Sequence, residues 1–126
     1  DVKPGMIKED LFRRDFTINA MAVSINKGTF GDLVDFYDGY KDLKKGLIRV
    51  MHDRSFIDDP TRIFRGVRFA ARYNFKIEPS TKKLMKEAVS GGYLGEVNRG
   101  RIKKEVELFL KEEDPLKCLK AFSRLV

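Results

Sequence analysis

Asp58-Asp59-Pro60-Thr61-Arg62-Ile63-Phe64-Arg65-Gly66-Val67-Arg68-Phe69-Ala70-Ala71-Arg72 decides how this chain is read. Wound as a helix, Arg62, Arg65, Arg68 and Arg72 fall within one arc of about 120°, and Ile63, Phe64, Val67, Ala70 and Ala71 within the opposite one. One face can bury in a core while the other presents a row of guanidiniums. Asp59 is expected to cap this helix, Pro60 to occupy its first turn, and Asn74 to break it after Tyr73. Arginine forks match phosphates and base edges, and an adjacent aspartate adds acceptors, so the stretch points to nucleotides. An amphipathic helix with a solvated basic face would explain the same residues. However, solvated faces normally mix charge signs, and 62–72 carries four positive charges and no negative one. An opposing anion would relieve that repulsion.

Downstream, the chain reads helical. Phe75, Ile77 and Pro79 suggest a short extended connector, followed by a helix capped by Ser80 or Thr81 and ended by Gly91-Gly92. Two further helices are expected at 99–111 and after the Asp114-Pro115 cap signal. Upstream, 1–9 is polar, carries Pro4 and Gly5, and reads as an extended segment or loop. A helix starting near Thr17 is expected to give way to a strand. Gly28, Gly31, Asp38-Gly39 and Gly46 punctuate short apolar stretches such as Leu33-Val34 and Leu47-Ile48, which are strand and hairpin cues. The fold class is therefore α+β: short strands and a helix over 1–52, then an all-α bundle over 53–126.

Composition bounds the function. The 126 residues are 42% hydrophobic and 36% charged, which suits a globular domain or parts of two. No apolar run approaches the roughly 20 residues a membrane helix needs. A start at Asp1, without an initiator methionine or apolar leader, reads as part of a longer protein. The single Cys118 cannot form an internal disulfide and the single His52 has no partner for a triad or a zinc site. A net charge of +7 favours a polyanionic partner.

A second motif is Arg13-Arg14-Asp15-Phe16-Thr17-Ile18-Asn19-Ala20. Arginines can contact phosphate, and an aspartate accepts from a sugar hydroxyl; a helix cap with two solvated arginines is the alternative. Arg101 and Glu105, one turn apart, read as an i, i+4 pair on a packing helix. Phe69 falls near the basic arc and could stack on a base, whereas Phe64 lies on the apolar face.

Together these motifs closely resemble class II tRNA nucleotidyltransferases (CCA-adding enzymes) and the related bacterial poly(A) polymerases. Residues 13–22 resemble the family's motif B, 31–50 its head-to-neck motif C, 58–72 its motif D, and Arg101-Ile102 with Glu105 its motif E. The resemblance implies the end of a nucleotidyltransferase head over 1–52 and a helical neck over 53–126. It implies that Asp59 and Arg62 read the base of CTP or ATP, that Arg65 and Arg68 lie near the nucleotide and its phosphates, and that Arg14 and Asp15, with Asn19, hold triphosphate and ribose. Asp58 departs from the glutamate common in the family. The family's Mg²⁺-binding carboxylate pair, following a glycine-rich strand, has no counterpart in this sequence. Mg²⁺ is thus expected as a cofactor with ligands outside this chain, which alone is expected to be inactive. The implied partners are CTP, ATP and a tRNA or other RNA 3′ end in the cytoplasm, with no membrane. A non-catalytic basic helical RNA-binding module is the alternative.

Overall fold

The computed structural model describes residues 4–126. In chain order these form α1 (Pro4–Phe12), a 3-10 turn (Thr17–Asn19), β1 (Ala22–Val23), β2 (Leu33–Val34), α2 (Gly39–Lys45) and β3 (Leu47–Ile48). There follow α3 (Ser55–Asp58), α4 (Arg62–Tyr73), β4 (Lys76–Ile77), α5 (Pro79–Ser90), a second 3-10 turn (Tyr93–Glu96), α6 (Arg99–Leu110) and α7 (Pro115–Ser123). The class is α+β, as expected.

The helices from 62 onward sit close to where apolar spacing and turn residues put them. Asn74 ends α4 in the left-handed region at φ 56°. Asn98 and Asp114 cap α6 and α7 through their side chains. The cap of α5 is Glu78, not Ser80 or Thr81: its carboxylate accepts from both of their backbone N–H groups and from both hydroxyls. Burial opposes ionisation of Glu78, but these hydrogen bonds outweigh it and hold its pKa down to about 2.

Upstream, the structure corrects three expectations. Residues 4–12 are helical, because Pro4 is compatible with a first helical turn and Leu11 gives the helix an apolar anchor. The helix expected near Thr17 is only one 3-10 turn. Gly28 and Gly31 do lie in the loop joining the antiparallel pair β1 and β2, but Asp38-Gly39 starts helix α2. A side-chain Cβ on Gly39 would collide with the Thr17 carbonyl oxygen, so tertiary proximity explains that glycine.

One hydrophobic core spans both halves of the chain. Phe16, Ile48 and Val50 pack with Ile63, Val67 and Met85, and Phe64 stacks on Phe122 at 4.7 Å. β3 pairs in parallel with β4, bringing 47–48 beside 76–77. Beside this core lies a buried polar joint. Thr17 Oγ1 donates to Asp42 Oδ2 at 2.6 Å, Arg49 Nε donates to the same oxygen at 3.0 Å, and Arg49 Nη1 lies 3.7 Å from Glu78.

Gly66, in the middle of α4, decides how the first half meets the second. A Cβ there would stand 2.7 Å from Met85 Cε and 2.9 Å from Phe16 Cζ. Its absence lets Phe16 lie against α4, and the neighbouring Asp15 therefore arrives beside the arginine face.

Candidate functional site

Arg14, Asp15, Asn19, Asp59, Arg62, Arg65 and Phe69 line one cavity of about 360 Å³. Three short segments build it: residues 14–19 through the first 3-10 turn, the loop between α3 and α4, and the first two turns of α4. Six of the seven residues singled out from the sequence converge here, although they lie up to 51 positions apart (14 to 65). Phe69 joins them, with the Arg65 guanidinium 5.2 Å from its ring centre.

Asp15 is the buried anchor. Its Oδ2 accepts from Arg65 Nε at 2.6 Å, and its Oδ1 accepts from the Phe16 backbone N–H at 2.8 Å and from Asn19 Nδ2 at 3.0 Å. This fixes the Arg65 fork at the cavity wall while leaving its side chain 40% exposed. Arg14 is more exposed, and among the described residues its side chain hydrogen-bonds Asp10 alone, at 3.2 Å.

Asp59 has extended backbone, and its Oδ1 accepts from the Thr61 N–H at 3.2 Å and the Thr61 hydroxyl at 2.6 Å. The carboxylate thus caps the turn before α4 rather than the helix itself, a correction to the expected start: α4 begins at Arg62 with Thr61 as its flanking residue, and Pro60 lies outside it. The carboxylate faces the cavity as well. Arg101 Nη2 reaches it from α6, at 3.2 Å from Oδ1 and 3.4 Å from Oδ2. Burial would raise the Asp59 pKa, but the Thr61 hydrogen bonds, then Arg101 and Arg62, outweigh that and hold the carboxyl below its ordinary range. Asp59 is therefore an acceptor at neutral pH, with Oδ2 the less occupied oxygen. Arg62 is held by two backbone carbonyls, Ser55 O at 3.3 Å and Arg13 O at 3.1 Å. A guanidinium carries five N–H donors, so donors remain.

Three expectations about the arginines change. The row is not left unneutralised: Asp15 pairs with Arg65, and Glu112 pairs with Arg72 through one fork of two hydrogen bonds at 2.6 and 2.7 Å. Hydrogen bonding from Arg72 holds the Glu112 carboxyl below its usual range. Arg68 does not line the cavity. It is 7% exposed, its Nε has no hydrogen-bond partner among the described residues, and its guanidinium sits 5.1 Å from the Phe69 ring centre. The expected Arg101–Glu105 pair does not form, because Arg101 turns to Asp59 and Thr61. Arg101 belongs to the site's surroundings, and a contact 42 residues back has no local signature in sequence.

Among the described residues, no group of three His, Cys, Asp or Glu could hold a metal ion. The one deeply buried carboxylate of the cavity, Asp15, is committed to Arg65, Asn19 and Phe16, so these residues do not fit a divalent cation. No helix among them is long and apolar enough to cross a membrane.

Residues 2–49 match the family model described as the poly A polymerase head domain. The A-adding tRNA nucleotidyltransferase of Aquifex aeolicus (strain VF5) is 51% identical over 123 residues, covering 98% of this chain and 15% of that protein. A CCA-adding enzyme solved as its complex with CTP superposes with a TM-score of 0.96 at 50% identity, over 99% of this chain and 30% of that one. The Thermotoga maritima CCA-adding enzyme complexed with tRNA superposes with a TM-score of 0.93 at 50% identity, over 97% of this chain and 30% of that one. The chain thus spans less than a third of the length of these relatives.

Proposed function

This chain belongs to the family of class II tRNA nucleotidyltransferases and bacterial poly(A) polymerases, and on that premise we propose that it is the nucleotide-reading part of an RNA 3′-terminal nucleotidyltransferase. That enzyme adds CMP and/or AMP, from CTP or ATP, to tRNA ends in the cytoplasm. Residues 1–52 close the head and 53–126 form the neck. The observation carrying the proposal is that Asp59 and Arg62 face one cavity with acceptor and donor capacity to spare, alongside Arg14, Asp15, Asn19 and Arg65.

The chemistry of the base edge follows from that pairing. Cytosine and adenine each present an amino donor beside a ring-nitrogen acceptor, whereas uracil and guanine present a carbonyl beside an N–H. A carboxylate next to a guanidinium matches the first pattern and opposes the second. Asp59 accepts from the amino group and Arg62 donates to the ring nitrogen. Thr61 and Arg101 keep Asp59 ionised and aimed, so the protein takes the place of a template base. Asp15 and Asn19 meet the ribose, and Arg14 and Arg65 meet the phosphates; Arg68 acts from behind Phe69.

Mg²⁺ remains the proposed cofactor of the whole enzyme, with its ligands outside this chain, and the 126 residues alone transfer no nucleotide. Titrating the chain with CTP, ATP, UTP and GTP by calorimetry tests the base-reading claim. Preference for CTP and ATP over UTP and GTP is expected. Equal affinity for all four would overturn the proposal and favour a basic module that binds RNA backbone only. Mg²⁺-dependent extension of a tRNA primer by the isolated chain would refute the inactivity claim.

A further inference from the structure

Across α4 from the nucleotide cavity lies a second basic region, unrelated to any residue assigned above. Lys82, Lys83 and Lys86 project from α5, and Lys117, Lys120 and Arg124 from α7 and its end. Lys76 of β4 completes the arc between them. They border two open grooves of about 440 and 930 Å³ that merge, since both are lined by Ile77, Lys82, Arg124 and Leu125.

Three features separate this region from an ordinary solvated face. All seven cations are exposed, and none forms an ion pair with a described residue. Few carboxylates are at hand to neutralise them: Glu78 caps α5, Asp114 caps α7, and Glu87 alone lines the groove, beside Lys83 and Lys86, without an ion pair to a described residue. Between the two lysine rows the floor is apolar, built from Ala70, Ala121, Phe75 and Ile77. Like charges gathered from three elements repel, and against seven cations the groove lining offers the single carboxylate of Glu87, whereas Arg65 and Arg72 each have a paired one.

We infer that this groove docks the phosphodiester backbone of RNA, holding the body of the nucleic acid while its 3′ end is served at the nucleotide cavity. A row of ammonium groups suits this task, because lysine binds phosphates as a point charge without demanding one base or geometry. The groove stands on its own geometry; the choice of RNA among polyanions rests on the transfer function proposed above.

The test is fluorescence anisotropy of the 126-residue chain with a labelled RNA hairpin bearing a single-stranded 3′ overhang, across a salt series. One variant combines Lys82→Gln, Lys86→Gln, Lys117→Gln, Lys120→Gln and Arg124→Gln. A charge-matched control combines Lys41→Gln, Lys44→Gln, Lys45→Gln, Lys103→Gln and Lys104→Gln, on α2 and α6. At about 0.7–0.9 per phosphate contact, losing five contacts should lower the slope of log affinity against log salt by about 4 and weaken binding roughly 30-fold or more at moderate salt. The control should lose far less, and CTP affinity should stay within about twofold in both. An unchanged slope in the groove variant, an equal loss in the control, or tighter groove-dependent binding to phosphatidylserine vesicles than to RNA would each overturn the inference. Loss of base preference in the nucleotide titration would instead strike the transfer reading, leaving the groove result intact.

Discussion

Asp15 and Thr17 lie two residues apart yet enter two different polar networks. Asp15 turns to α4 and orders Arg65 at the rim of an open cavity. Thr17 turns to Asp42, and with Glu78 and the half-exposed Arg49 forms a joint whose acceptors are buried: Asp42 is 4% exposed and Thr17 3%. Both networks use aspartate, arginine and a hydroxyl or amide at similar distances. What separates them is space. The joint spends its acceptors on the chain itself, whereas Asp59 Oδ2 and several guanidinium N–H groups border volume that a nucleotide can fill. Residue type therefore marks a polar network, and unfilled volume marks a binding one.

The largest effect that would sharpen this contrast is expected at the joint. Asp42→Ala strands Thr17 and Arg49 without their shared acceptor and should cost about 3 kcal/mol, a breaking of a buried ion pair moderated by the partly exposed Arg49. Thermal denaturation should show a midpoint lower by roughly 10 °C or more, while nucleotide preference in the folded protein stays unchanged. If preference collapses with stability, the two networks are one.

At the cavity the pattern should reverse. Asp59→Ala should reduce the preference for CTP over UTP by about tenfold or more, through loss of a charged acceptor worth about 1.5–3 kcal/mol. Its melting midpoint should fall by only a few degrees, the cost of a lost cap. A large stability loss with intact preference would make Asp59 a member of the structural class instead. Arg14→Ala should weaken all four nucleotides by a similar factor, roughly threefold to tenfold, because phosphate contacts carry no base information. Unequal losses measured across the four nucleotides would break that assignment.

Glu78 gives the smallest and most graded test. Its folded pKa, about 2, lies below the ordinary glutamate value, so its stabilisation is complete above that ordinary value and is lost as pH falls towards 2. Glu78→Ala should cost about 1 kcal/mol at neutral pH, typical of a helix cap. Glu78→Gln should flatten the acid limb of the stability curve between about pH 4.5 and 2; an unaltered limb would place the acid-sensitive group elsewhere.

Much of the site could be read in one dimension because its members cluster in two short motifs, 13–22 and 58–72. Within the second, helical periodicity alone separated Arg62 and Arg65 from Ile63 and Val67. It failed for Arg68, which lies in the same arc but tucks behind Phe69, since angle about a helix axis carries no information on what packs against it. It failed for Arg101 as well, where the nearest acidic residue in sequence lost to one brought close by folding. Helix α2 escaped notice because Gly39 and Gly46, read as turn signals, frame it, and 1–9 was misread because Pro4 and Gly5 outweighed the helix-compatible residues after them.

Local chemistry in the chain settled that helices α4 to α7 form and nearly where each runs, which faces are apolar, and that a basic nucleotide-type motif follows Asp59, since caps, breakers and periodicity act within a few residues. Only tertiary packing decided which polar groups share a cavity, because that depends on Phe16 meeting a helix across a glycine without a Cβ. The same packing gathered the lysines of α5 and α7 around one groove, none in an ion pair with a described residue, as no local rule states which cations the fold will bring together.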